Sequence, residues 1–392
     1  MSGLLLDVLL VALLLIYLVY GYRSGFVRSL AGFIGAVVGA IVAYFLIPVL
    51  TNLLPIPELR VFLPLVIGVA LIVGLTTAGL WLGDVLRQGV QRSHLGRVDR
   101  LLGAAINLVA AALVASLVAT SLGAVGIPSL SNAIASSTVL RTIDNLTPTP
   151  VQAALAQLRS MAVRDGLPSI ADAFGGPAPD VPNVKTDSPA LTAAARSVLR
   201  ITGNAYACGQ SQSGSGFVVA SDRVVTNAHV VAGVTNPVVQ TQSGESHAGR
   251  VVYFDPRQDL AVIAVSGLSV PPLKLAATLA TNAKGVFDGY PFGGPFTSNP
   301  AEVLSVGTVN IDNIYGTSPA AREVYSLAAN VQEGNSGGPL LTTSGAVAGV
   351  IFAKSAKTGN IGYALTMSEL DPVATKAHRL SNKVSSGTCT RG

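Results

Sequence analysis

Three short stretches carry residue types able to do hydrolytic chemistry. Gly334-Asn335-Ser336-Gly337-Gly338-Pro339 frames a serine with glycines, so its hydroxyl and a neighbouring backbone N–H can reach one carbonyl. Thr226-Asn227-Ala228-His229-Val230-Val231 sets a histidine after small residues at the end of an apolar run. Phe254-Asp255-Pro256-Arg257-Gln258-Asp259-Leu260-Ala261-Val262 puts Asp259 30 residues after His229, at the opening of an apolar strand. A serine hydroxyl must lose its proton as it attacks, so it needs a nearby imidazole. The imidazole in turn needs a carboxylate to fix its tautomer and stabilise the imidazolium. His229 is therefore expected as base, Asp259 as its acid partner and Ser336 as nucleophile of a serine hydrolase. Asp255, before a proline, reads as a turn residue.

Those residues need a scaffold, and the second half of the chain supplies one. Eleven short β-rich runs between residues 216 and 366 are separated by Gly, Pro, Asn and Ser turns. That spacing predicts an all-β barrel or sandwich, closed by a helix near 368–380. Before it, residues 123–200 carry two expected helices, at 149–163 and 189–199, the second capped by Ser188. The Gly/Pro run at 175–182 between them reads as a linker.

The first 122 residues are different. Apolar runs at 4–20, 29–50, 61–82 and 101–122 each approach the ~20 residues that cross a bilayer core. The first lacks a basic leading region, carries Asp7 and runs at once into the second, which argues against a cleaved signal peptide. Residues 1–122 hold seven arginines, no lysine and four acids, and so supply +3 of the chain's net +5. The excess lies in short loops between apolar runs, so membrane topology explains the basic balance and nucleic acid is not an expected partner. Arg23 and Arg28, and the group Arg87, Arg92, Arg97 and Arg100, mark cytoplasmic loops, which places everything after residue 123 outside the cytoplasm. Gly35 and Gly39 form a small-xxx-small pattern that lets helices approach closely within one subunit. Asp7, Asp84 and Asn107 are polar residues in or near the spans; Asp7 and Asp84, near the ends of their runs where water is within reach, read mainly as structural. Expected domains are a membrane domain at 1–122, a linker region at 123–200 and a hydrolase at 201–392.

Cys208 and Cys389, the only cysteines, bracket the hydrolase, which in an oxidising compartment reads as a disulfide; two unrelated thiols are the other reading. If formed, the link restricts a long loop and is worth at most ~5 kcal/mol. His94, His247 and His378 have no matching partners, so neither a metal site nor any cofactor is expected.

The order His229, Asp259, Ser336 in these three motifs resembles the trypsin/chymotrypsin-like serine proteases, nearest their bacterial degradation branch, over residues 201–385. The resemblance implies two six-stranded β-barrels with the site in the cleft between them, a C-terminal helix, and an oxyanion hole formed by the N–H groups of Gly334 and Ser336. Too few residues follow Ser336 for an added peptide-binding domain. Asn330 stands where trypsins read basic side chains, so an uncharged or small side chain is expected at the cleavage site. Gly21-Tyr22-Arg23-Ser24-Gly25-Phe26-Val27-Arg28-Ser29-Leu30 and Gly96-Arg97-Val98-Asp99-Arg100-Leu101-Leu102-Gly103 resemble the colicin V production family of small inner-membrane proteins, over residues 1–125. The full order of domains looks like the actinobacterial membrane-anchored acid-resistance serine proteases.

That resemblance implies a multi-pass inner-membrane endopeptidase with a periplasmic catalytic domain, acting in acid and oxidative stress on cell-envelope proteins. Self-cleavage in the linker is a further expectation, and a silent scaffold that binds peptides is the alternative. A histidine base works only when neutral, with an unperturbed pKa of ~6.5. Acid is thus expected to change activation or substrate access rather than improve the chemistry.

Overall fold

The computed structural model describes residues 3–53, 59–91, 96–123, 133–134, 137–162, 168–170, 180–205 and 210–390. Residues 175–179 of the Gly/Pro run, His94 and Cys208 lie outside them. The chain divides into two compact units, one of Leu4–Val118 with Thr138–Ile143, the other built mainly on Asp144–Gly392.

The first unit consists of α1 (Gly3–Ser24), α2 (Phe26–Leu53), α3 (Leu59–Gln91), α4 (Gly96–Gly123) and the start of α5 (Thr138–Leu146). The first four are long and apolar enough to cross a membrane. Helices suit that setting because each backbone N–H and C=O is bonded within its own segment. The α2–α3 pair packs backbone to backbone: a Cβ on Gly35 would fall 2.2 Å from the carbonyl oxygen of Leu75. The small-xxx-small pattern thus serves packing within the chain. The polar residues hold helices together too. The Asp99 carboxylate is buried, accepting from Val27 N (3.0 Å) and Arg87 Nε (3.1 Å). Asp7 accepts from the N–H groups of Thr138 and Val139, at the N-terminus of α5, and Asp84 pairs with Arg28 at 3.4 Å. Asn107 donates to Ser29 Oγ and the Gly103 carbonyl.

The second unit contains α6 (Thr149–Ala162), β1 (Ser169–Ile170), α7 (Pro189–Ala195) and then twelve strands. These are β2 (Val198–Ala205), β3 (Gln210–Ala220), β4 (Arg223–Thr226), β5 (Val238–Gln240), β6 (Ser246–Asp255), β7 (Leu260–Val265), β8 (Lys284–Gly289), β9 (Thr297–Ile311), β10 (Ala320–Ala328), β11 (Pro339–Thr342), β12 (Val347–Ser355) and β13 (Ile361–Leu365). A four-residue helix, α8 (Ala228–Val231), follows β4, and α9 (Met367–Ala374) follows β13. Strands β2-β3-β4-β7-β6-β5 form a closed barrel. Strands β12-β11-β8-β9-β10-β13 form a second ring, closed by the β12–β13 pairing, with β1 added in parallel at the end of β12.

The expected helix at 189–199 ends at Ala195, and its last residues belong to β2 instead. Val198, Leu199 and Ile201 are wholly buried, and an alternating β-ladder places them there better than one more helical turn. Ser188 does cap α7, its Oγ accepting from Leu191 N. The closing helix is also shorter than expected, α9 being followed by a separate single turn at Ala377–Arg379.

Apolar burial falls in three places. Leu199, Ile201, Val224, Val251 and Ile263 fill the first barrel. Phe287, Val303, Tyr325, Leu340 and Ile351 fill the second. Between the barrels, Phe217, Val262 and Leu260 meet Val286, Val350 and Phe352. Burying each such side chain is worth ~1.5–3 kcal/mol. The seam between barrels is therefore as much a core as either interior, and it holds the loops beside it in place.

Candidate active site

His229 lies on α8, one turn after β4, with 7% of its surface exposed. Its Nδ1 lies 2.7 Å from Asp259 Oδ2 and its backbone N–H donates to Asp259 Oδ1 at 2.9 Å. An ionised carboxylate can only accept, so Nδ1 carries the proton, and in the neutral imidazole Nε2 then presents its lone pair. Asp259 is 1% exposed and has φ +56°, a left-handed conformation that turns its side chain toward α8 just before β7 begins. Asn227 Nδ2 donates to the Asp259 carbonyl at 2.9 Å and anchors that turn. Asp255 does what its turn position suggested, accepting from Arg257 N and Gln258 N.

Ser336 lies on the loop before β11 and is 2% exposed. Gly334 must be glycine: its φ is +88°, and a Cβ there would fall 2.4 Å from the Tyr290 carbonyl oxygen. Ser336 Oγ and His229 Nε2 are buried, and neither has a hydrogen-bond partner among the described residues. Contacts between serine and base are often loose before substrate binds. The structure brings the loop against the His229 segment all the same. Ser215 N on β3 donates to the Ser336 carbonyl at 2.8 Å, and Thr226 Oγ1 donates to the Ser215 carbonyl at 2.8 Å.

Two charged residues near the site were not found by reading motifs. Arg322 on β10 is 2% exposed; its Nε donates to the Arg257 carbonyl and its Nη2 to the Asp312 carbonyl. Burial lowers its pKa, while the charges of Asp259, Glu369 and Asp255 act the other way. The second barrel thus places a cation behind the acid of the first. Asp288 on β8 is wholly buried, and neither carboxyl oxygen forms a well-aligned hydrogen bond. Burial pushes its pKa up to about 7, with the Ser298 hydroxyl opposing. The available signal was a charged residue preceded by apolar ones within a β-rich run, as in Val286-Phe287-Asp288 and Ala320-Ala321-Arg322.

The remaining predicted positions stand apart from this cluster. Asn330 is exposed, its side-chain oxygen accepting from Gln332 Nε2. Cys389 packs against the first barrel's apolar cluster. His247 pairs with Glu245 at 3.2 Å, and His378 is exposed. Among the described residues no group of acids, histidines and cysteines could hold a metal ion.

Comparison with known proteins accounts for both halves. A trypsin-like peptidase domain matches residues 214–350 and a colicin V production protein matches residues 6–148. The serine protease Rv3671c of Mycobacterium tuberculosis is 33% identical over 373 residues, covering 93% of this chain and 94% of that protein. The Do-like serine protease HtrB of Bacillus subtilis is 31% identical over 171 residues, covering 41% of this chain and 37% of its own. The crystal structure of the Rv3671c protease in its active form superposes with a TM-score of 0.52 at 35% identity, covering 57% of this chain and all of that one. With four spans ahead of two protease barrels, and similarity running almost end to end, the chain belongs to the trypsin-like serine proteases that carry a colicin V production domain.

Proposed function

We propose that this multi-pass membrane protease cleaves peptide bonds with His229 as general base, Asp259 as its orienting acid and Ser336 as nucleophile. The observation that carries the reading is the pair of bonds from His229 to Asp259, one from its backbone N–H and one at Nδ1, together with Ser336 on its glycine-framed loop. In the reaction, Ser336 Oγ attacks the scissile carbonyl as its proton passes to His229 Nε2. The tetrahedral oxyanion is met by the N–H groups of Gly334 and Ser336. Collapse expels the amine, which takes the proton back from Nε2, and water then hydrolyses the acyl-enzyme by the same route.

The wider reading places the protease domain outside the cytoplasm, on the arginine distribution, with cell-envelope proteins as substrates during acid and oxidative stress. Its support is the end-to-end similarity to the mycobacterial protease and the resemblance already described. An uncharged side chain at the cleavage site, the Cys208–Cys389 disulfide and self-cleavage within 175–182 belong to the same proposal. For the disulfide, the support is the lack of a free cysteine among the described residues and the seating of Cys389 on the first barrel.

The test is fluorophosphonate labelling of the full chain in detergent, wild type beside Ser336→Ala. Labelling of the wild type alone is expected; equal labelling of both would remove Ser336 as nucleophile. No labelling of folded wild type would favour a silent peptide-binding fold.

A further inference from the structure

An oxyanion hole works only if the peptides that carry its donors are held one way round. In a trans peptide the N–H points opposite the preceding carbonyl. Fixing the Glu333 carbonyl therefore fixes the Gly334 N–H, and fixing the Asn335 carbonyl fixes the Ser336 N–H. Both are held: Phe292 N donates to the Glu333 carbonyl at 2.6 Å and Gly338 N to the Asn335 carbonyl at 2.9 Å.

The carbonyls of Gly334 and Ser336 themselves are held by one residue of the other barrel. Ser215 Oγ donates to the Gly334 carbonyl at 2.7 Å, and Ser215 N donates to the Ser336 carbonyl at 2.8 Å. The same hydroxyl accepts from Tyr290 N at 2.9 Å. Tyr290 leads directly into the turn that carries Phe292, and this turn is braced again by Arg200, whose Nη1 donates to the Gly293 carbonyl. Phe292 sits at φ +57°, a conformation that costs a non-glycine residue ~1–2 kcal/mol. Neighbouring contacts must hold it there, and Ser215 anchors the chain two residues upstream. Ser215 is wholly buried. Its hydroxyl both donates and accepts, so it is no rival nucleophile.

We propose that Ser215 is a positioning residue for hydrolysis, clamping the Gly334–Gly337 loop and the Tyr290–Gly293 turn so that the N–H groups of Gly334 and Ser336 face the substrate carbonyl. The proposal rests on Ser336 being the nucleophile. It concerns transition-state stabilisation, because the clamp touches neither the imidazole nor the leaving group.

The experiment compares full-chain Ser215→Ala and the near-isosteric Ser215→Cys with wild type, on a fluorogenic peptide that the wild type cleaves. Thr226→Val is the structural control: it removes a buried bond to the Ser215 carbonyl and leaves the clamp itself in place. In Ser215→Ala, kcat is expected to fall about 10–100-fold, less than the loss of an oxyanion donor outright. KM should stay within about threefold. Affinity for a peptidyl boronate, which mimics the tetrahedral state, should fall with kcat, while affinity for the product peptide stays unchanged. Ser215→Cys should show a smaller loss in the same direction, its thiol being a weaker donor. Unchanged kcat and boronate affinity in Ser215→Cys, or losses in Ser215→Ala no greater than in Thr226→Val, would overturn the clamp. Residual cleavage by Ser336→Ala would instead break the nucleophile reading, so the two failures are separable.

Discussion

In the first barrel, imidazole and carboxylate are joined by a ring bond and a backbone bond before any substrate arrives. In the second, the hydroxyl of Ser336 has no partner among the described residues, and order resides in the carbonyls of its loop. The barrels share a six-strand ring, so the difference lies in what leaves the ring. The first sends out a single helical turn and a left-handed aspartate, both short and buried. The second sends out a loop whose donors must stay unoccupied for the substrate. A base gains from being paired at rest. An oxyanion hole must be empty at rest, so its rigidity has to come from the opposite side of each peptide.

That contrast can be broken from either barrel. The largest effect is expected from Asp259→Asn, which keeps the shape but can donate to the imidazole and so stabilise the wrong tautomer. Steady-state kcat should drop on the order of 10⁴-fold with little change in KM. A drop below tenfold would mean that the pair is not set before substrate binds.

Arg322→Met comes next. It leaves the Arg257 and Asp312 carbonyls without their charged donor. Chemical denaturation should show a loss of about 2–4 kcal/mol, and kcat/KM should fall because the cation behind Asp259 is gone. Arg322→Lys keeps the charge without the planar fork, so it should recover activity better than stability. Equal recovery of both would assign Arg322 to packing alone.

The last expected effect, read as a pH dependence of stability, concerns Asp288. Its folded pKa, pushed up to about 7 from 3.8, means that the folded state holds this proton more tightly than the unfolded chain. Its contribution to stability is complete below about pH 4 and is lost as pH rises through about 7. The full difference is on the order of 4 kcal/mol. Asp288→Asn should flatten that part of the Tm-versus-pH curve between pH 4 and 8. An identical slope in both proteins would show that Asp288 is not the group responsible. This contact favours the acid state, whereas a histidine base must be neutral to act.

Much of the site was legible because motifs are local. His229, Asp259 and Ser336 stand out as candidates through their short neighbours, and Asp255 was separable from Asp259 by its proline. The strand at Val198–Ala205 was not legible. Ser188 and Pro189 open a good helix start, and only the ladder with β3 and β5 shows where the helix stops. Ser215 stands within a Gly-Ser-Gly run that carries no motif of its own, and its partners lie 75 and 119 residues away.

The membrane half follows the same division. Its four apolar runs were plain from composition. That Asp99, Arg87 and Asn107 are structural ties required seeing helices α1 to α4 together. The amino-acid sequence by itself determined the spans, the chemistry of the three candidate catalytic groups and the β character of the hydrolase, because each depends on residue type and near-neighbour spacing. Only the tertiary structure decided which way the Glu333–Gly334 and Asn335–Ser336 peptides face, where the buried charges Arg322 and Asp288 sit, and which barrel holds the other's loop. Those depend on burial against distant strands, and burial decides whether a serine or an arginine is a surface residue or a clamp.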